Sequence, residues 1–222
     1  PVDIFKKFND KWASKVLGIE KWNEKKTALE EFLKEAENTP KIAAVPIQHI
    51  TSMLKKLLND NNFPIVFTTV KIYGALAKGL RRHLHTQCKL IMPFLLEKLK
   101  DKRSALIEET TKTLDNFLYC INPEDVLEDL KEGISNKSPN MRITLLSWID
   151  RYFERNAKNA DKLVNLFKNL LPVLKKLVDD SSNDVREAAI KSLAKQKAIL
   201  GDDVIKDSFN DLNPARLPKL NT

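Results

Sequence analysis

The residue types that most often carry catalysis or metal binding are few in this sequence, and none stands in a recognised arrangement. The histidines are His49, His83 and His85, and a spacing of two directs His83 and His85 to different sides of a helix. Cys88 and Cys120 lie far apart without CxxC spacing, so we interpret them as buried thiols of a reducing compartment. The motifs HExxH, GxxxxGKS/T and GxSxG do not occur. We therefore predict no catalytic residue, no cofactor and no metal, and we do not expect an enzyme.

Recognition chemistry is better represented, because basic and amide side chains recur where the chain is expected to turn between helices. A basic residue in the first turn of a helix opposes the macrodipole, at a cost of about 0.3–1 kcal/mol. Because several helices carry this cost along the same edge, the pattern indicates a ligand with negative charge. Trp and Arg are also the commonest anchors of protein interfaces. The predicted binding residues are Lys21, Trp22, Lys25, Asn61, Asn62, Lys102, Arg103, Asn136, Lys137, Arg142, Asn183 and Arg186.

These residues are positioned by a repeated pattern of an apolar helix, a polar turn and a second apolar helix. The pattern is clearest over 170–189, and the segment 54–60 matches 174–180 almost residue for residue. From the second repeat onwards, the equivalent position stands three residues after an acid or amide in the turn. The equivalent positions are Trp22, Phe63, Ser104, Pro139 and Asn183, and Trp22 is included because it has the same phase when Ala28 is matched to Ala189. Their intervals of 41, 41, 35 and 44 residues are the period of helix-pair solenoids, in which equivalent turns align along one edge.

We predict an all-α fold, a HEAT-repeat α-solenoid of about five helix pairs with capping helices. A single domain is expected over 1–222. The predicted pairs are 5–37, 41–80, 84–120, 123–156 and 160–200, followed by a C-terminal cap over 202–217.

Local signals set several of the expected helix ends. An opening helix is predicted over 5–17, ended by Gly18 in a left-handed conformation. A helix is expected to restart near Pro46, because proline suits the first helical position. Pro93 and Pro172 stand at equivalent positions inside helices and predict bends, and Gly201 is expected to stop the last paired helix.

Some predicted binding residues also have a purely structural interpretation. Arg186 and Asp180 match the Asp–Arg ladder that joins neighbouring HEAT units, so Arg186 is assigned to the ladder or to a partner with equal weight. A Trp lies more often in a core than at a contact. Trp22, however, stands beside lysines and outside the apolar spacing of the following helix. Trp12 and Trp148 fall within apolar stripes and are predicted to be core residues.

Composition fits a soluble, core-forming protein with an acidic partner. Of the 222 residues, 42% are hydrophobic and 31% are charged, which excludes a disordered chain. The net charge is +8 and the isoelectric point is about 9.3, so nucleic acid, an anionic membrane or an acidic protein would each complement it. No apolar run approaches the ~18 residues of a membrane-spanning helix. Because the chain begins at Pro1 rather than Met, we expect a fragment of something longer.

The order and spacing of five segments resemble a TOG domain, the tubulin-binding HEAT array of the ch-TOG, Mini spindles and Stu family of microtubule polymerases. The resemblance covers almost the whole chain. The segments are Lys21-Trp22-Asn23-Glu24-Lys25-Lys26-Thr27-Ala28-Leu29, Leu76-Ala77-Lys78-Gly79-Leu80-Arg81, Pro93-Phe94-Leu95-Leu96-Glu97-Lys98-Leu99-Lys100, Ser135-Asn136-Lys137-Ser138-Pro139 and Asp184-Val185-Arg186-Glu187-Ala188-Ala189.

The resemblance implies that the turn edge binds a curved αβ-tubulin heterodimer. Trp22 matches the family's first-turn Trp, expected against β-tubulin, and Arg186 matches the fifth-turn Arg, expected near α-tubulin. Lys102 matches the basic residue of the third turn, whereas Phe63-Pro64 departs from the small or β-branched residue common in the second. The family further implies a cytoplasmic protein of the cytoskeleton, at microtubule plus ends, spindle or centrosome, with other TOG domains in the same parent chain. Neither a membrane nor nucleic acid is expected as a partner.

Other readings of the sequence stay open at this point. Within the same class, a CLASP-type rescue factor has a similar domain. A HEAT-like DNA-binding protein or alkylpurine DNA glycosylase would also present Trp, Arg and Asp on a basic face, but the enzyme requires an acidic residue inside the cleft. A generic HEAT scaffold would bind another protein through its inner helices rather than its turns.

Overall fold

The computed structural model describes residues 1–205, 207–212 and 215, and these form eleven α-helices with four short 3₁₀ turns. The all-α prediction is confirmed, since the described residues contain no strand and only one isolated bridge, between Val2 and Ile42. Part of the predicted cap over 202–217 lies outside the described residues. The helices are α1 Asp10–Gly18, α2 Trp22–Glu37, α3 Gln48–Leu57, α4 Phe63–Leu80, α5 His85–Lys98, α6 Ser104–Phe117, α7 Leu127–Ile134, α8 Pro139–Asn156, α9 Ala160–Leu177, α10 Asn183–Leu200 and α11 Asp202–Ile205.

The chain divides into two compact units, Pro1–Asn122 and Pro123–Thr222. The first unit contains three helix pairs, α1–α2, α3–α4 and α5–α6, and the second contains α7–α8 and α9–α10 followed by α11. The boundary falls between the third and fourth predicted pairs. A single domain over the whole length therefore stays a prediction.

In the first unit, α4 is buried between α2 and α6, which explains why it is apolar on nearly every side. Gly74 allows the close approach of α4 to α6, because a Cβ there would lie 2.9 Å from Thr113 Oγ1. Thr113 Oγ1 in turn donates to the carbonyl of Val70, 2.9 Å away. In the second unit, α8 packs on α10, α7 contacts α8 and α9 contacts α10.

The repeated turns have a common cause, a side-chain oxygen that accepts the backbone N–H two residues further on. This local bond closes the turn in four of the five pairs, and the next residue begins the second helix of the pair. The predicted equivalent positions are confirmed as the first residues of α2, α4, α6, α8 and α10. The bonds join Asp60 to Asn62 (2.8 Å), Asp101 to Arg103 (2.9 Å), Asn136 to Ser138 (3.0 Å) and Asp180 to Ser182 (2.9 Å).

Several predicted helix ends are wrong. The opening helix over 5–17 is interrupted: a 3₁₀ turn spans Ile4–Lys6 and α1 begins only at Asp10. The reason is that Asn9 Oδ1 accepts the N–H of Trp12 and caps α1. Gly18 ends α1, but it does not have the positive φ of the predicted left-handed conformation. Ile19, the next residue, is extended. Pro46 is not the first helical residue, because α3 begins two residues later, at Gln48.

Other local predictions are confirmed. Pro93 and Pro172 lie inside α5 and α9 as predicted, and the bends expected there stay predictions. Gly201 stops α10 with a φ of 86°, a conformation that favours glycine. Trp148 is fully buried.

The predicted burial of Trp12 is confirmed in part, and the predicted burial of the two thiols is confirmed. Trp12 is half-buried, with its ring centroid 4.9 Å from that of Phe8 and 5.3 Å from that of Phe32. Cys88 and Cys120 are free and buried, and burial raises the pKa of the Cys88 thiol.

Candidate functional site

In the first unit, the loops before α2, α4 and α6 lie side by side, and we call them together with the first turn of each helix the turn edge. Lys25 Nζ in the first loop region lies 3.9 Å from the carboxylate of Asp60 in the second. The Arg103 guanidinium of the third loop lies 4.2 Å from the ring centroid of Phe63, the first residue of α4. These contacts connect three successive turns.

Trp22 is the most distinctive residue of this edge. It is the first residue of α2 and its side chain is 47% exposed, whereas Trp148 is completely buried. The apolar residues that α2 buries begin later, at Leu29 and Phe32, on the face turned to the core. An exposed indole at the start of a helix costs hydrophobic free energy unless a partner covers it.

The basic residues of the first turn differ in their availability. Lys21 is exposed and its ammonium pairs at 3.2 Å with Glu24, an ion pair in open solvent. The Lys25 side chain is only 15% exposed and is directed to Asp60, so Lys25 links two turns rather than facing outwards. The structure thus gives these two predicted binding residues different roles.

The second and third turns form one composite surface. Asn61, Asn62 and Lys102 are exposed. Arg103 is held against Phe63 by Asp101, which accepts from its Nε at 2.8 Å and its Nη2 at 3.0 Å. This bidentate bond holds the pKa of the Asp101 carboxyl below its ordinary value. From the sequence, Phe63 was noted only as a departure from the family pattern, and its stacking with Arg103 of the next turn was missed.

In the second unit, the turn edge consists of the loops before α8 and α10 with the first turns of those helices. Arg142 and Asp180 join the two loops through an ion pair whose side chains are only 12% and 9% exposed. The Asp–Arg ladder between neighbouring helix pairs, predicted as an alternative for Arg186, is therefore made by Arg142 instead. Asn136 is half-buried and closes its own turn, and Lys137 is exposed.

Arg186 is bound within the fifth turn. Its Nη1 donates to the carbonyl of Asp180 at 2.7 Å and to that of Ser181 at 3.1 Å, and its Nη2 donates to Asn183 Oδ1 at 3.0 Å. The guanidinium is half-buried and lies across the turn, and Asn183 is exposed beside it. Arg186, in the first turn of α10, therefore presents a positive charge that is fixed against the fifth turn.

The chemistry available at these edges is that of a binding surface. Exposed ammonium, amide and indole groups can contact an acidic, partly apolar protein surface. Within 1–205, 207–212 and 215, no three His, Cys, Asp or Glu side chains come together in the arrangement of a metal site. No helix in the described part of the chain is both long and apolar enough to cross a bilayer.

The fold and its turn edges define a helix-pair repeat domain of the protein-binding class. The sequence pattern of the family described as XMAP215/Dis1/CLASP, TOG domain, matches residues 9–222, and the chain belongs to this family. It is 32% identical over 222 residues to the protein MOR1 of Arabidopsis thaliana, an alignment that covers 99% of this chain and 11% of the relative. The chain thus spans about a tenth of the length of that relative.

Solved structures show the same architecture. A chain from work on microtubule plus-end tracking by XMAP215, CLIP-170 and EB1 superposes with a TM-score of 0.86 at 27% identity, covering 99% of this chain and 91% of the other. A chain from work on tubulin recruitment and assembly by microtubule polymerases with TOG domain arrays shares the fold, with a TM-score of 0.81 at 21% identity over 99% of this chain and 46% of the other.

Proposed function

We propose that this chain is a tubulin-binding module that holds the αβ-tubulin heterodimer through its turn edges, as one TOG domain of a larger microtubule plus-end regulator. Support comes from membership of the TOG family and from the exposed basic and amide groups at the turns. The role is non-catalytic. Its place would be the cytoplasmic microtubule cytoskeleton.

The observation that carries the proposal is the exposure of Trp22 at the first turn. A large aromatic side chain that is half exposed, beside Lys21 and two turns of basic and amide groups, has the composition of an interface anchor with a polar rim. In the family resemblance this position faces β-tubulin. Arg186, fixed on the fifth turn, would contact α-tubulin.

The structure supports dividing the predicted residues into contacts and supports. Exposed side chains and the half-buried Arg186 are assigned to tubulin, whereas Lys25 and Arg142 are assigned to the pairs that hold neighbouring turns in place. Arg103 is exposed but pre-positioned by Asp101 and Phe63. The proposed contacts are Lys21, Trp22, Asn61, Asn62, Lys102, Arg103, Lys137, Asn183 and Arg186.

One module binds tubulin without being able to polymerise it. Delivery to a growing end requires several binding sites at high effective concentration, supplied by tandem domains or by dimerisation. We therefore propose that further TOG domains in the parent chain supply that function.

Size-exclusion co-elution of this chain with unpolymerised αβ-tubulin at moderate salt tests the proposal. Trp22→Ala and Arg186→Ala should lose co-elution while circular dichroism shows that both stay folded. Leu90→Ala removes another exposed apolar side chain, and Arg155→Ala removes another exposed Arg, so both serve as matched controls and should co-elute like wild type. Failure of the wild-type chain to co-elute, or equal binding by all four variants, would reject the turn edge as the site.

A further inference from the structure

A second candidate site lies in the first unit, away from the turn edge. A cavity of about 540 Å³ opens between the C-terminal halves of α2, α4 and α6, within the roughly 300–1,000 Å³ of ordinary ligand sites. Phe63 at the turn edge and Lys78 beside the cavity are fifteen residues apart on α4, which places them roughly 22 Å apart along the helix. A partner bound at the turns would therefore leave this cavity accessible.

Three cationic side chains line this cavity: Lys71 and Lys78 on α4, and Arg81 just after it. None of the three forms an ion pair with a described residue. Lys71 Nζ lies 5.6 Å from the ring centroid of Phe67, and the Arg81 guanidinium lies 5.2 Å from that of Tyr119. An aromatic face orients a cation without neutralising its charge, so these groups keep their positive charge for a ligand.

The negative groups at the cavity do not cancel this charge. Its carboxylates are Glu37 and Glu109, and Glu109 is paired with Lys112 at 3.8 Å. The C-terminal carbonyls of α4, which carry the negative end of the helix dipole, are also occupied. Gly79 O accepts from Ile42 N at 3.1 Å, and Ala77 O accepts from the backbone N–H of Arg81.

Arg81 is held in a backbone conformation that is costly for any residue except glycine. Its φ is 51°, the only positive value of a non-glycine residue among those described. Strained backbone of this kind is concentrated at binding sites, and here the Arg81 side chain lines the cavity beside an exposed tyrosine, Tyr119.

We propose that this cavity binds an extended acidic peptide segment of a partner protein. Lys71 and Lys78 are seven residues apart on α4, which separates their backbone positions by about 10 Å along the helix. Cations attached at this separation suit successive carboxylates of a chain better than one compact phosphate. Tyr119, which is exposed, offers an apolar surface beside these cations. This site is independent of the tubulin proposal and uses none of its residues.

Fluorescence anisotropy with a labelled twelve-residue peptide of alternating Glu and Ala, at low ionic strength, tests the proposal. We expect binding that the Gln–Ala peptide does not show. Lys71→Ala with Lys78→Ala should weaken it at least tenfold. Lys11→Ala with Lys15→Ala, the same loss of charge from exposed positions on α1, should change it less than twofold. Trp22→Ala should bind the peptide like wild type.

Two results would overturn the assignment. One is the absence of peptide binding at low salt, and the other is equal weakening by the two double variants, which would show a general effect of net charge. Arg81→Gly provides a second variant that suits the positive φ and therefore stays folded. It should also lose affinity, and unchanged affinity would exclude Arg81 from the site. Tubulin co-elution is measured separately, so either proposal can fail alone.

Discussion

Arg142 and Arg186 show how the same residue in equivalent positions takes different roles. Each is the fourth residue of its helix, in α8 and α10. Arg142 forms the buried pair with Asp180, while Arg186 binds the backbone of its own turn. The sequence could place both at turns. The sequence could not show which Arg pairs with the Asp180 carboxylate. Arg186 is only six residues from Asp180 in the chain, whereas Arg142 reaches it only in the folded structure.

Removing Arg142 should therefore destabilise the protein more than removing an exposed arginine does. Breaking a buried ion pair leaves the other charge without compensation, which costs about 3–5 kcal/mol. We expect Arg142→Ala to lower the free energy of unfolding in urea by about 3 kcal/mol, against less than about 0.5 kcal/mol for the exposed Arg155→Ala. Equal stability of the two variants would show that the pair is not maintained in solution.

Asp150 should make stability depend on pH. Its carboxyl is buried on α8, accepts from Ser192 Oγ and lies 3.9 Å from Lys195 Nζ. Burial raises its pKa above the ordinary 3.8 in spite of these contacts. A raised folded-state pKa means that the ionised group costs stability at neutral pH, and that this cost disappears as the pH falls through the raised pKa.

We therefore expect Asp150→Asn to be more stable than wild type by about 1 kcal/mol at pH 7. The stability advantage of the variant should shrink on acidification. It should be absent below pH 3.8, where the Asp150 carboxyl is protonated and is as neutral as the Asn amide. Thermal melting followed by circular dichroism over this pH range measures the difference. A variant that is less stable than wild type at neutral pH would show that Lys195 and Ser192 outweigh desolvation.

At the scale of the helix, the close packing of α4 on α6 depends on Gly74. Alanine would gain about 1 kcal/mol of helix propensity, but overpacking costs about 1–3 kcal/mol. The added Cβ would meet Thr113 Oγ1, which cannot move without losing its bond to Val70. We expect Gly74→Ala to lower stability by about 1 kcal/mol in urea unfolding.

The Thr113→Ala background provides the control for this prediction. It removes the hydroxyl that the new methyl group would strike, so Gly74→Ala introduced there should be neutral or stabilising. A loss of the same size in both backgrounds would place the strain elsewhere, for example at Asn116 Nδ2, 3.2 Å from the added Cβ.

The start of a helix could be predicted from the sequence where the same turn residues recur in several repeats. It could not be predicted where one capping residue breaks a helix without breaking the helical spacing of its apolar residues. The starts of α4, α6, α8 and α10 follow from one acid or amide three residues earlier. The break at Asn9 was missed because Phe5, Phe8 and Trp12 keep a helical spacing across it. The 3₁₀ turn and the cap leave Phe5 and Phe8 buried and Trp12 half-buried against them, so apolar periodicity does not register the break.

At the scale of the whole chain, family membership and fold follow from patterns that extend over many residues, and single errors do not disturb them. The site is less predictable, because exposure and pairing depend on neighbours in space. Trp22 is exposed although most Trp residues are buried, and Lys25 is mostly buried although it stands in a basic run. The net charge of +8 further predicts that binding of an acidic partner weakens as salt rises.

Hydrogen exchange with and without unpolymerised αβ-tubulin is the most direct test of the proposal that the turn edges of both units bind the tubulin heterodimer. We expect slower exchange at 19–25, 58–66, 100–106, 135–142 and 180–186, with α1, α3 and α5 unchanged outside these segments. Slowing confined to α1, α3 and α5, or no slowing anywhere at saturating tubulin, would contradict it.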